Sequence, residues 1–163
     1  MELTAYIQWL VTTNVFTLAR EGKGLVDHKA HFIIGFIEEY FEWLEAKPEE
    51  DLKEIGDMLA YYCLALASLG FSPEFTVSQL YTKEEIPIKS VVKDAVGAGK
   101  RILRGDKGAD VVFAQSGAVL IRQLLEIIEC KPKPSLETIA AINKSKLTSR
   151  LNNTGTFKGQ GDR

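Results

Sequence analysis

Five carboxylates fall in one stretch with helical spacing: Glu38, Glu39 and Glu42, then Glu54 and Asp57. At about 100° per residue, Glu39 and Glu42 share one helix face, and so do Glu54 and Asp57. Ala46-Lys47-Pro48 lies midway between the pairs and reads as a turn. Each pair is about one helical turn from that corner, so two antiparallel helices can bring four carboxylates to the same height. Four like charges so placed repel, and something positive must compensate. Hard oxygen donors of this kind suit Mg²⁺ or Mn²⁺. Periodicity alone supports a second reading of the first pair. Ile33, Ile34, Phe36, Ile37, Tyr40, Phe41, Trp43 and Leu44 cover half the helix, and Glu38, Glu39, Glu42 and Glu45 form a wet acidic face on the rest. The next helix argues the other way. From Ile55 to Ala67 it is apolar almost all round, and Asp57 interrupts that run. Asp57 lies too deep in the helix for the N-terminal dipole to account for it. A buried, unpaired acid is costly, so a cation or a cationic side chain is expected beside it.

The elements that must position these acids are helical. The spacing predicts helices over about 2–19, 28–46, 48–69, 89–103 and 109–129, with a short one over Thr76–Tyr81. Pro48 suits the first turn of its helix, followed by Glu49, Glu50 and Asp51, where the dipole favours acids. Ser135 is the expected N-cap of a last helix reaching about Leu151. No segment alternates long enough to argue a strand. The expected class is all-α: an antiparallel helical bundle, with residues 1–151 as one domain and 152–163 as a flexible Gly-rich tail. A weak internal echo suggests a degenerate duplication of a helical hairpin. Lys53–Glu74 can be laid on Phe113–Glu137, with Gly56 meeting Gly117 and Asp57 meeting Ala118. The second copy lacks the acids and carries Lys100, Arg101 and Arg104 instead.

Composition narrows the function classes. The chain has 163 residues, 45% apolar and 26% charged, which excludes disordered and collagen-like structure. With 20 Lys+Arg against 22 Asp+Glu, the net charge of −2 provides no basic field for nucleic acid or a membrane surface. The longest apolar run, Met58 to Ala67, falls well short of a membrane span. The opening MELTAYIQWL has no basic n-region, so a secretory signal is not expected. Cys63 and Cys130 sit in apolar stretches and read as buried small residues in a reducing compartment, so a cytoplasmic location is expected. The third and fifth predicted helices are apolar round more of their circumference than a small bundle buries, and a homodimer is expected.

The ordered motifs resemble a known family. EEYFE (Glu38 to Glu42), eleven residues, then EIGD (Glu54 to Asp57) is similar to the EExxE…ExxD pattern of the MazG-like all-α nucleoside triphosphate pyrophosphohydrolases. GFIEEYFEW preceded by His31 resembles that family's first catalytic helix, and EIGDMLAYYCLALASLGFS its second. NKSKLTSR (Asn143 to Arg150) resembles its Asn-x-x-Lys-Leu-x-x-Arg element, and GTFKGQGDR its Gly-rich tail. The resemblance covers about 29–70 and 134–163, whereas 71–133 has no counterpart in short members. It implies Mg²⁺-dependent hydrolysis of a nucleoside triphosphate to monophosphate and pyrophosphate, with Mn²⁺ as a substitute ion. It implies Glu39, Glu42, Glu54 and Asp57 as metal ligands, with Glu38 as an outer-shell partner or base. Lys146 and Arg150 would grip phosphate, with Lys158 in the tail, and Asn143 would bond phosphate or sugar. Tyr61, one turn beyond Asp57, is a candidate for stacking on the base, or an ordinary packing residue. The tail is expected to close over bound nucleotide as a lid, the alternative being a frayed C-terminus.

Other signals are weaker. GAGK (Gly97 to Lys100) has Asp94 and Arg101 where a phosphate-binding loop needs Gly and Ser or Thr. His28 and His31 lack the Glu-x-x-His pairs of a di-iron bundle and read as helix-start residues. The alternative to an enzyme is a non-catalytic helical module for nucleotide binding or oligomerisation.

Overall fold

A helix that is apolar all round must be covered from every side, and the rest of the chain is arranged to do this for one central helix. The computed structural model describes residues 2–155 and 157, the side chain of Phe16 excepted. Among these the elements are α1 (Leu3–Arg20), α2 (Lys29–Glu45), α3 (Asp51–Ser68), α4 (Pro73–Tyr81), α5 (Ile88–Leu103), α6 (Ala109–Ile127) and α7 (Leu136–Thr154). Short 3₁₀ turns at Val26–His28 and Pro48–Glu50 lead into α2 and α3. No strand occurs among the described residues, so the expected all-α bundle is what forms. Among the described residues no helix is long and apolar enough to cross a membrane.

α2 and α3 form one helical hairpin and α5 and α6 another. The hairpins pack α3 on α6 and α2 on α5, while α1 and α7 close over the remaining side of α3. Phe36, Tyr62 and Phe113 meet at the joint between the hairpins, with Phe36 to Phe113 ring centres 5.6 Å apart. The Tyr62 hydroxyl donates to the Ala114 carbonyl at 2.7 Å, so the one polar atom in that aromatic cluster is satisfied. Twelve of the 18 residues of α3 are buried, and α6 is buried to a similar degree. The apolar circumference of these two helices, the basis for expecting a homodimer, is therefore covered within a single chain.

Four local expectations need correction. The short helix begins at Pro73, three residues before Thr76, because the Ser72 hydroxyl caps it by accepting from the Phe75 N–H at 3.1 Å. α6 stops at Ile127, so Cys130 lies beyond it and is exposed; Cys63 is buried as expected. α7 starts after Ser135 as expected, with the Ser135 hydroxyl accepting from Thr138 N–H at 3.2 Å. It continues past Leu151 to Thr154, so the first residues of the expected tail are helical. Gly155, at φ 72°, ends it with a left-handed cap. The tail also joins the core: Phe157 packs on Trp9 of α1 with ring centres 5.9 Å apart. Thr156 and 158–163 lie outside the described residues.

Glycines set how closely the helices approach. A Cβ on Gly117 would stand 2.9 Å from the Tyr62 ring, whereas one on Gly97 would meet nothing. Gly117→Ala is therefore expected to cost about 1–3 kcal/mol through overpacking. Gly97→Ala, in a helix interior with free space, should stabilise by about 0.5–1 kcal/mol. Urea unfolding checks both: the midpoints should move in opposite directions, and a rise for Gly117→Ala would refute the described contact between α3 and α6.

Candidate metal centre

The turn between α2 and α3 brings the two acidic pairs side by side. Carboxylate oxygens of Glu39, Glu42 and Glu54 lie within 4.8 Å of one another. Glu39 and Glu42 are half-buried on α2, and Glu54 is only 6% exposed on α3. The close approach depends on Gly35, where a Cβ would stand 2.5 Å from the Tyr61 ring. Lys53 reaches Glu54 at 3.5 Å from the solvent side. Glu38 is exposed and does not belong to the group of three.

Burial and like charge together favour a proton in this cluster. Burial pushes the Glu39 carboxyl up from its ordinary 4.5 to about 9, and the nearby charges of Asp57 and Glu42 add to the effect, as does a hydrogen bond with Glu54. One oxygen of Glu39 and one of Glu54 are buried and lack a donor while both groups are ionised. A proton kept on Glu39 satisfies that pair, and a cation would satisfy it without the proton. The donor set is all hard oxygen, so the residues present fit a Mg²⁺ or Mn²⁺ ion.

Asp57 sits one turn further along α3 and is answered from α7. Lys146 Nζ pairs with its carboxylate, and Asn143 Nδ2 donates to Oδ1 at 3.0 Å. Asn143 is itself buried, and its Oδ1 accepts from the Tyr6 hydroxyl of α1 at 2.8 Å. Burial holds the Tyr6 phenol well above its usual value, with Cys63 and Asp57 adding to the shift. Tyr6 therefore remains a donor and fixes the Asn143 amide with its NH₂ toward Asp57. α7 runs against Gly56, where a Cβ would stand in ordinary van der Waals contact with Asn143 at 3.4 Å.

The structure thus brings together three of the four expected metal ligands. Asp57 does not belong to that group, because the cation expected beside it is the Lys146 ammonium. Lys146 is accordingly engaged with Asp57. Arg150 donates from Nη1 to the Phe157 carbonyl at 3.2 Å. With Ser145, Ser149, Ala141 and Ile142, the two basic residues line an open hollow of about 700 Å³ on α7. Tyr61 covers Gly35 and meets His31 edge-on with ring centres 5.8 Å apart, so it packs within the α2–α3 hairpin while remaining half-buried. Lys158 lies outside the described residues. Tyr6 and Lys53 belong to the site although nothing in their spacing marks them. Tyr6 reads as one more core residue of α1, and Lys53 as a solvent-facing charge.

Two outcomes follow from this geometry. Between pH 4.5 and about 9 the folded protein keeps a proton on Glu39 that the unfolded chain has released. Stability of the metal-free protein should therefore fall as pH rises through that window. Urea unfolding in EDTA should show this slope, and Glu39→Gln should flatten it; an unchanged slope would place the titration elsewhere. Tyr6→Phe leaves the buried Asn143 carbonyl without its donor and should cost about 1–3 kcal/mol in the same assay. The chain matches no protein-family model, no curated protein and no solved structure.

Proposed function

We propose that this chain is a Mg²⁺-dependent nucleoside triphosphate pyrophosphohydrolase that releases monophosphate and pyrophosphate. The observation that carries the reading is the convergence of Glu39, Glu42 and Glu54 with buried oxygens that lack a donor. These three residues would hold the ion. Bound there, Mg²⁺ would supply a water nucleophilic near neutral pH and neutralise charge on the leaving pyrophosphate. The order of motifs along the chain, similar to that of the MazG-like pyrophosphohydrolases, supports attack at the α-phosphorus.

The chain's own residues divide the remaining work. Glu39 must give up its proton before all three carboxylates can act as ligands. Lys146 and Asn143 orient Asp57, and Tyr6 orients Asn143. A triphosphate offers the Lys146 ammonium a second anion, and its transfer from Asp57 to phosphate would release the Asp57 carboxylate near Glu39. Ser145, Ser149 and Arg150 line the hollow beside Lys146 and suit phosphate oxygens.

One observation favours a non-catalytic nucleotide-binding module instead. The Lys146–Asp57 pair neutralises one of the two acids of α3 without any metal. Turnover separates the two readings. Incubation with a panel of nucleoside and deoxynucleoside triphosphates plus Mg²⁺ should yield monophosphate and pyrophosphate, and EDTA should abolish the reaction. Diphosphate plus orthophosphate as the products would overturn the assignment. Nucleotide protection against unfolding without turnover would favour the binding module. Glu42→Gln and Glu54→Gln should each lower the rate by ~10²-fold, since each removes a ligand. The exposed Glu45→Gln variant should retain it.

A further inference from the structure

Five of the exposed large apolar side chains lie on α2 and α5, away from the carboxylates. On α2, Ile34 (52%), Phe41 (52%) and Leu44 (53%) are exposed, and Ile37 between them is half-buried. All four fall within about 100° of Ile33 on the helix circumference. Ile33 and Ile37 are the side chains over which Gly99 of α5 closes, with a Gly99 Cβ placed 2.8 Å from Ile33. On α5, Val96 (38%) and Leu103 (41%) are exposed beside the half-buried Val92, all within about 60° of Gly99. The two stripes therefore border the same α2–α5 seam on its solvent side and make one patch. Patches of this kind on a folded chain mark a contact surface.

The charges at its rim say what covers it. The α2 stripe is bordered by the exposed acids Glu38 and Glu45, and the α5 stripe by the exposed bases Lys89, Lys93 and Lys100. A single chain thus carries an acidic apolar ridge beside a basic apolar ridge. A two-fold axis over the seam lays each ridge on its opposite, apolar on apolar and Glu on Lys, in both halves at once. Such a face is self-complementary, which is the requirement of a closed dimer. We propose that the α2–α5 face is a homodimer interface, in which α2 of each copy lies along α5 of the other. The inference deepens the expectation of a homodimer by moving its interface from α3 and α6, which are covered inside the chain, to the outer face of the hairpins. It does not depend on the hydrolase reading.

Sedimentation of the full chain at micromolar concentration should give a dimer. Phe41→Lys sets a base against the partner's α5, and Leu103→Glu sets an acid against the partner's α2. Each should raise the dimer dissociation constant about tenfold or more, with an unchanged far-UV circular dichroism spectrum. Glu45→Lys should weaken the dimer too, and adding Lys93→Glu and Lys100→Glu to it should restore association, a rescue that misfolding would not produce. A monomeric wild-type chain would overturn the proposal. So would a dimer indifferent to Phe41→Lys and Leu103→Glu, or a triple variant that stays dissociated. Pyrophosphate release measured on the same samples keeps the two readings apart: turnover by a monomer would sink the interface and leave the hydrolase standing.

Discussion

The burial of α3 among five other helices is the constraint from which the site follows. A helix with so little solvent contact cannot leave its polar groups to water, so each must be answered by a neighbour. Glu54 is answered by Glu39 of α2 and by Lys53, Asp57 by Lys146 and Asn143 of α7, and Asn143 by Tyr6 of α1. Three helices are thus pinned to α3 by its two acids. The register of α7 on α3 is fixed by these polar contacts as much as by apolar packing, since Ile139, Asn143, Lys146 and Leu147 lie along the same side of α7 as it meets α3 and α1.

The carboxylate cluster is held against its own repulsion by packing. The rings of Phe36, Tyr62 and Phe113 and the contact of Tyr61 with Gly35 draw α2 onto α3. Each large side chain so buried contributes about 1.5–3 kcal/mol. Three partly buried acids cannot all keep their charge at that separation, and one of them holds a proton instead. The site therefore stores an unmet demand for positive charge, and its geometry is imposed from outside by the apolar core. Carboxylates gathered in advance in this way are the arrangement that a divalent ion would need.

What could be read from the sequence was whatever repeats at helical spacing. The helices, the Ser135 cap and the facing of Glu39, Glu42 and Glu54 across the Lys47-Pro48 corner all rest on positions a few residues apart. The need for a cation beside Asp57 was also readable, because Asp57 breaks an apolar run. Its identity was not, since Lys146 stands 89 residues later and meets Asp57 only through the tertiary packing of α7. Tyr6 was hidden for the same reason. The missed helix ends have local causes: Ser72-Pro73 signals a turn as readily as a cap, and Asn152, Asn153 and Thr154 are weak helix formers carried along by the helix before them. The surplus apolar face of α3 and α6 points from sequence to an intermolecular surface because periodicity shows that a face is apolar without showing which element covers it.

The two hairpins divide the labour by charge. The first carries its acids where α2 and α3 meet and at the outer rim of α2; in the second, Ala118 stands where the first has Asp57, and Ala98 and Phe113 fill the interior with apolar atoms. Glycine replaces bulk at the crossing, so that Gly99 and Gly117 admit Ile33 and Tyr62 of the first hairpin. The second hairpin thereby becomes the wall against which the first is pressed, with its charges, Lys89, Lys93, Lys100 and Arg101, kept outside. An acid at Ala98 or Phe113 would meet no cation there and would add to the field that already holds a proton on Glu39. The electrostatic load of the α2–α3 cluster is tolerable because the hairpin behind it contributes packing and no further buried negative charge.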